Sequence, residues 1–328
     1  MRAVIVEHPG GPEILRIGEI PDPVPRRGEL LVRVRATALN RLDLLQREGR
    51  YPLPPGAPET LGVEMAGEVV GWGEDVTGWT RGDRVCALLL GGGYAELVTV
   101  PAAMAIRIPA TLSFEQAAAI PEAFLTAYLN LFMLGGLEAG GYALIHAGAS
   151  GVGTAAIQLV RAVGARAIVT VGSPEKAARC RDLGAIAAIN YRAGPFEPHV
   201  MEATAGRGVD VIIDVVGAPY WEQNLACLAQ AGRLILLAML GGGTLEINLG
   251  AIQRKRLRII GSLLRPLPLE EKVALTARFT EFALPLLADG RLAPVIDSVY
   301  TLDEVAAAHR RMEANANIGK IVLRVPAP

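Results

Sequence analysis

Cysteine is nearly missing from this 328-residue chain. Cys86, Cys180 and Cys227 are odd in number, far apart and form no C-x-x-C pair. That argues against a disulfide framework and a thiolate metal cluster, so the three are expected to be buried or inert thiols of a reducing compartment. Histidine is also rare. His8, His146, His199 and His309 include no two at helical ligand spacing, which disfavours an imidazole-built metal site. Aromatic residues make up only 5% of the chain. Neither sign of charge prevails: the net charge is −1 at pH 7, so no field favours nucleic acid or an anionic membrane. No apolar run is long enough to span a bilayer. The opening MRAVIVEHPGGPEIL carries Arg2, Glu7 and Glu13 without a long apolar core, unlike a secretory signal. Repeats and low-complexity linkers are absent as well. The expectation is a soluble, cytoplasmic protein. Its 51% hydrophobic content supports a sizeable core, and its length suits two domains or one large α/β unit.

What is present is concentrated in YALIHAGASGVGTAAIQLVRAVGARAIVTVGSPEK, residues 142–176. An apolar run leads into Gly148-Ala149-Ser150-Gly151-Val152-Gly153, then a small-residue helix, then a second apolar run at Ala167–Val171. Strand, glycine turn, helix and strand are the context in which such a turn brings backbone N–H groups to a pyrophosphate at a helix N-terminus. The simpler reading of the same glycines is close helix–strand packing. Ser150 replaces the middle glycine of G-x-G-x-x-G, and its hydroxyl offers a bond to a phosphate oxygen.

A second departure bears on the coenzyme. NAD sites place an Asp or Glu about 20 residues on, to hold the ribose 2′-hydroxyl. This chain has Gly172-Ser173 there, with no carboxylate before Glu175, and Lys176 follows. A 2′-phosphate needs room, hydroxyl or backbone donors and a cation, and a carboxylate would repel it. NADPH is therefore the expected coenzyme. Only four of the 32 basic residues are lysine, so one at this position carries more weight than a surface lysine ordinarily would.

The first third of the chain reads as β-rich, with candidate strands at Ala3–Val6, Glu29–Ala36, Met65–Gly73, Arg84–Leu89 and Tyr94–Val100 and one short helix at Arg41–Arg47. Ser113 and Gln116 form a capping-box pattern ahead of a helical run, Phe114–Leu134, that Pro121 should kink or split. Strands then alternate with helices: Tyr142–His146, Ala167–Val171, Ala185–Asn190, Val209–Val216, Arg233–Met239 and Arg258–Gly261. That alternation predicts a doubly wound parallel sheet. A long helix at Leu269–Leu287, a strand at Val295–Tyr300, a helix at Leu302–Glu313 and a strand at Ile318–Val325 end the chain. These last elements are too few for a domain of their own and should return to the N-terminal β unit. The expected division is a discontinuous domain of residues 1–123 and 262–328 and a dinucleotide-binding domain of residues 124–261, with the active site in the cleft between them.

Taken in order, ALNRLDLLQREGRYPLPPG, LGVEMAGEV, GDRVCALLLGGGYAELVTVP, AAAIPEAFLTAY, LIHAGASGVGTAAIQL and NIGKIVL resemble the medium-chain dehydrogenase/reductase superfamily. Within it they are similar to the zinc-free, zeta-crystallin-like quinone oxidoreductases, particularly the stress-inducible subgroup. The resemblance covers essentially the whole chain. It implies a GroES-like catalytic domain beside a Rossmann domain, NADPH, and a homodimer or homotetramer. Zinc-dependent members of the superfamily place a Cys where this chain has Asn40 and a His where it has Val63, with a third ligand falling near Glu122, by an ungapped count to Thr126. The four-cysteine lobe is replaced by a short segment near Leu88–Tyr94. Neither zinc is therefore expected.

The resemblance further implies that Asn40, Asp43 and Tyr51 border the substrate or nicotinamide, and that Thr126 touches the nicotinamide ribose or phosphate. Tyr191 is implied to stack near the adenosine 2′-phosphate with Lys176. Val216-Gly217, Met239-Leu240-Gly241 and Leu263-Leu264 are implied to line the nicotinamide pocket, and Lys320 to face the coenzyme. Taken alone, the residues also admit simpler roles. Asn40 and Asp43 could only cap the short helix, Tyr191 could be a packed aromatic, and Tyr51 and Lys320 could be surface residues. Asp214, at a strand end, reads as a turn or cap residue rather than a catalytic carboxylate.

The reaction expected is hydride transfer, or single-electron transfer, from NADPH to a quinone or activated alkene, with Tyr51 bonding or protonating the acceptor oxygen. Two alternatives stand beside it. One is a 2-enoyl-thioester reductase, with Arg254, Lys255, Arg256 and Arg258 offering a basic patch for the carrier. The other is a non-enzymatic NADPH-binding structural or RNA-associating protein, which the charge balance opposes.

Overall fold

The computed structural model describes residues 1–326. The chain divides into two compact units, Met1–Leu125 with Arg265–Pro328, and Thr126–Leu264.

The first unit is built on a seven-stranded sheet. Its strands run in the order Ile296–Thr301, Lys320–Arg324, Glu29–Ala38, Glu64–Trp72, Arg84–Leu88 and Ile106–Arg107, and Leu97–Pro101 also pairs with Glu29–Ala38. All pairings are antiparallel except that of Ile296–Thr301 with Lys320–Arg324. The C-terminal segment thus joins the N-terminal sheet, with Val322 opposite Ala38. Sequence patterning missed the strand Arg16–Glu19, which pairs only with Arg2–Ile5. Its residues are exposed or half-buried, so no apolar alternation marks it.

The second unit holds six parallel strands in the order Ala187–Asn190, Arg166–Val171, Tyr142–Ile145, Val209–Asp214, Leu228–Leu236 and Arg258–Gly261. This is the doubly wound order, with its switch point between Tyr142–Ile145 and Val209–Asp214. The expected strand Arg233–Met239 is displaced towards the N-terminus. It ends at Leu236, opposite Asp214, and the Leu237 N–H donates to the Asp214 carbonyl. Phe114–Leu134 splits as its proline requires, into helices Phe114–Ala118 and Pro121–Tyr128, and the second continues as a π-helical turn over Leu129–Leu134.

Leu144, Ile168, Phe196, Ile212, Trp221 and Leu234 lie in the core of this unit. All three cysteines are buried, and burial drives their thiols up to about 12, 11 and 12 for Cys86, Cys180 and Cys227. Thiols that hard to ionise are unreactive. Among the described residues no helix is long and apolar enough to cross a membrane.

Candidate active site

In the second unit, the turn after Tyr142–Ile145 feeds the helix Gly151–Ala162. Ser150 caps that helix, its Oγ accepting the Gly153 N–H at 3.0 Å. The hydroxyl hydrogen and the Gly151 and Val152 N–H groups are left at the open helix end, where an anion is favoured. The two flanking glycines serve packing. A Cβ on Gly148 would lie 2.5 Å from the Val169 Cβ, and one on Gly153 would lie 2.5 Å from the Ala147 and Gly148 carbonyl oxygens. The turn is thus drawn tight against the second strand, as phosphate approach requires.

A second such end follows the strand Arg166–Val171. Ser173 caps the helix Pro174–Asp182 by accepting the Lys176 N–H. A Cβ on Gly172 would meet the Tyr191 hydroxyl at 3.0 Å and the Arg192 Nε at 3.5 Å. The structure therefore brings Gly172, Ser173, Lys176 and Tyr191 together, and adds Arg192, which sequence reasoning missed. Its signal was a basic residue directly after the strand-end tyrosine. The Tyr191 ring is 41% exposed and so presents a face for stacking. The Ser173 and Tyr191 hydroxyls, a narrow glycine floor and the basic residues Lys176 and Arg192 fit an adenosine 2′-phosphate.

At the switch point, Asp214 behaves as a turn residue. Its Oδ1 accepts the Val216 and Gly217 N–H groups at 2.7 and 3.1 Å, and its Oδ2 accepts Asn224 Nδ2 at 3.0 Å. Asn224 Oδ1 in turn lies 2.8 Å from His146 Nε2, and Thr170 Oγ1 lies 2.9 Å from His146 Nδ1. With Asn224 Oδ1 able only to accept, the imidazole carries its hydrogen on Nε2 and accepts from Thr170. Burial lowers its pKa, so it stays neutral. Three strand ends and the helix Trp221–Cys227 are pinned by this chain, which fixes Val216-Gly217. Met239, Leu240 and Leu263 are exposed, whereas Leu264 is buried. Thr126 is buried and its carbonyl accepts Asn130 Nδ2.

Of the basic residues suggested for a carrier, Arg254, Arg256 and Arg258 are exposed, whereas Lys255 is engaged within the protein. Lys255 Nζ donates to the Leu225, Ala226 and Leu228 carbonyls, each at 2.8 Å, and so closes the end of the helix Trp221–Cys227.

In the first unit the polar residues converge on Glu64. Its Oε1 accepts Lys320 Nζ at 2.6 Å and Asn40 Nδ2 at 2.8 Å, and its Oε2 accepts the Glu122 N–H at 2.8 Å. Lys320 also donates to Asn40 Oδ1 and the Leu39 carbonyl, at 2.7 and 2.8 Å, so all three of its donors are engaged within the protein. Lys320 is 4% exposed. Of the residues that could present oxygen to a metal, Asn40 and Glu64 already enclose an ammonium and the buried Glu122 carboxyl is pushed up to about 8, while Val63 offers no ligand atom. This donor set does not fit a zinc ion.

Asp43 sits behind this group, fully buried. It accepts the Asn40 and Gly62 N–H groups and the Tyr94 hydroxyl at 2.8, 3.2 and 3.2 Å, and holds the loop in place. Desolvation pushes its carboxyl up to about 6 against those bonds. Beyond Tyr94 lies His309, which burial depresses to about 3, and Arg47 Nη1 lies 3.2 Å from its Nδ1. Tyr51 is half-buried, with the Arg265 guanidinium 5.4 Å from its ring centroid.

Glu122 is buried, and burial followed by the neighbouring Glu64 drives it up to about 8. Its folded pKa lies above its ordinary value of 4.5, so the native state binds more protons than the unfolded state and stability falls as pH rises through that interval. Asp43 has the same sign but is spent by about 6, and His309, with the opposite sign, is spent by 6.5. Between pH 6.5 and 8 Glu122 stands apart from those two. Unfolding free energies from urea titrations across that window should fall for the parent protein, by up to about 1.4 kcal/mol per pH unit. Glu122→Gln should flatten the slope, and an unchanged slope would show the carboxyl ionised throughout.

Known proteins are similar to this chain in sequence and fold. The alcohol dehydrogenase GroES-like domain family matches residues 26–110 and the zinc-binding dehydrogenase family matches residues 151–281. A quinone oxidoreductase of Pseudomonas aeruginosa is 36% identical over 320 residues, 96% of each chain. The crystal structure of Escherichia coli quinone oxidoreductase complexed with NADPH superposes with a TM-score of 0.88 at 32% identity, covering 99% of this chain and 100% of that one. The JamJ enoyl reductase is similar at 26% identity and a TM-score of 0.87, over 99% of both chains. With a glycine-turn nucleotide unit, a GroES-like unit and full-length identity of this order, the chain belongs to the medium-chain dehydrogenase/reductase superfamily and, within it, to the quinone oxidoreductases: it is an oxidoreductase enzyme.

Proposed function

We propose that the protein is a zinc-independent, NADPH-dependent reductase of quinones and activated alkenes. The observation that carries this reading is Lys320 Nζ seated between Asn40 and Glu64. A protein-borne positive charge occupies the place where a catalytic cation would need those same oxygens. Without a Lewis acid, a simple ketone is a poor hydride acceptor. A quinone or enone accepts hydride readily, because its conjugation spreads the incoming charge onto a carbonyl oxygen.

When bound, the dinucleotide supplies hydride from its nicotinamide ring, and the protein supplies position and electrostatics. Ser150 and the Gly151–Val152 N–H groups hold the pyrophosphate. Ser173, Lys176 and Arg192 hold the 2′-phosphate, with Tyr191 against the adenosine. The Tyr51 hydroxyl donates to the acceptor oxygen.

Coenzyme titration by fluorescence quenching tests the proposal. NADPH should bind at least tenfold tighter than NADH, because charge-assisted bonds are worth about 1.5–3 kcal/mol each. Lys176→Ala combined with Arg192→Ala should weaken NADPH by about 10²-fold and leave NADH within about threefold. NADH bound as tightly as NADPH by the parent protein would refute the coenzyme assignment.

The enoyl-thioester reading keeps one support, the likeness to an enoyl reductase. Faster NADPH oxidation with crotonyl or longer enoyl thioesters than with quinones would favour it.

A further inference from the structure

Two buried polar atoms of the first unit lack any protein partner, and they are complementary to the same kind of ligand. Arg265 is 2% exposed. Its Nε donates to the Leu90 carbonyl and its Nη1 to Gln46 Oε1, at 2.8 and 2.9 Å, while its Nη2 has no acceptor. Glu122 is 8% exposed, and its Oε2 has no donor. A buried carboxylate oxygen without a donor is costly in its ionised form, whereas the neutral acid turns that oxygen into an O–H donor. Unmet donors are as unusual in native interiors as unmet acceptors, and each calls for an explanation.

The charged and titratable groups acting on Glu122 are Glu64, Lys320, Asp43 and Arg265, and Glu122 in turn acts on Tyr51 and Lys272. Burial first, and then repulsion by Glu64, the largest of the charges, favour the neutral form of Glu122. Tyr51 lies within electrostatic reach of both Arg265 and Glu122. What this corner lacks is an oxygen that accepts hydrogen bonds.

We propose that Arg265 Nη2 and the neutral Glu122 carboxyl are the donors that receive the carbonyl oxygen of the substrate, and that Glu122 is the acid that protonates it. This rests on the reductase reading above. Hydride adds to a carbon conjugated with the carbonyl, and the displaced π pair moves onto the oxygen. That oxygen takes the Glu122 proton: an O–H bond forms on the product, the Glu122 O–H bond breaks, and solvent reprotonates the carboxylate. The hydride comes from the reduced dinucleotide. Tyr51 and Arg265 hold the oxygen and keep their protons. Burial raises the Tyr51 hydroxyl above its ordinary value of 10.0, which suits a donor that does not ionise, whereas Glu122, at about 8, can release its proton near neutrality.

The test separates binding from proton transfer. The full chain is titrated at neutral pH with 4-nitrophenolate, an unreducible oxyanion whose absorbance reports its environment. The parent protein should bind it, Arg265→Lys should bind at least tenfold more weakly, and Glu122→Gln, whose amide still donates, should bind within about threefold. In steady-state quinone reduction, Glu122→Gln should lower kcat by about 10²-fold, the lower end of what an acid contributes. The parent should lose activity above about pH 8, and Glu122→Gln should abolish that loss. Equal nitrophenolate binding by the parent and Arg265→Lys overturns the proposal, as does a Glu122→Gln enzyme with the parent's kcat and pH profile. Glu122→Gln is close in shape to the parent and remains informative should Arg265→Lys fold poorly. The nitrophenolate arm needs neither coenzyme nor turnover. A parent protein that binds the probe as expected but reduces no quinone would therefore count against the reductase reading alone.

Discussion

Tyr51→Phe is expected to lower kcat for quinone reduction by about 10²–10³-fold while NADPH affinity stays within about twofold. The substitution removes one hydroxyl and keeps the ring over which the Arg265 guanidinium lies. Packing and the cation–π contact therefore survive, and the loss isolates a single donor to the oxygen on which charge develops. Donors of that kind matter more in a dry, preorganised site than in water, because they need no reorganisation when the charge appears. The raised hydroxyl pKa keeps the proton on Tyr51 at working pH, so the variant should lower the plateau of the pH profile without moving its alkaline limb. The measurement is kcat and KM over a pH series. An unchanged kcat with a raised KM would make Tyr51 a substrate contact only.

Lys320→Met should cost about 3–5 kcal/mol of stability, the penalty for leaving one member of a buried ion pair behind. Glu64 is fully buried and Lys320 nearly so, and they meet at 2.6 Å. With the ammonium gone, Glu64 keeps the Asn40 amide and the Glu122 N–H but loses its counter-charge. Asn40 Oδ1 and the Leu39 carbonyl lose a donor at the same time. Adding Glu64→Gln to Lys320→Met should recover much of the loss, because an amide in that place needs no counter-charge. In a Trp221→Phe background, Trp72 and Trp79 report on the first unit alone, and urea unfolding followed by their fluorescence gives the two values. A single variant within about 1 kcal/mol of its parent would mean that water reaches Glu64 and that the pair is screened as at a surface.

The elements that could be read from the sequence are those specified over short spans. Ser150 accepting the Gly153 N–H, Ser173 accepting the Lys176 N–H and Ser113 with Gln116 are three-residue relations. Asp214 was legible as a turn residue because its bonds to Val216 and Gly217 follow within three positions. The partners of Lys320 were not, because Glu64 stands 256 positions away and only the pairing of Lys320–Arg324 with Glu29–Ala38 brings them together. The same holds for Arg265, whose acceptors lie 175 and 219 residues distant. Lys255 read as part of an exposed basic run, since nothing in its neighbourhood announces three carbonyls across a helix end. Glu122 was legible only as the residue near the third zinc-ligand position of the zinc-dependent relatives, not as a neutral carboxyl. Its raised pKa comes first from burial and then from the carboxylate that its own backbone N–H touches.

The three interior thiols acquire a chemical meaning beside an electrophilic substrate. Quinones arylate nucleophiles by conjugate addition, and cysteine thiolate is the side chain they attack first. Here each sulfur is sealed from solvent and resists ionisation. Of the four lysines, Lys255, Lys272 and Lys320 have amines tied to protein oxygens. Under the proposed function, the catalyst is therefore poor in groups that a quinone could cap, and should outlast many turnovers without self-inactivation.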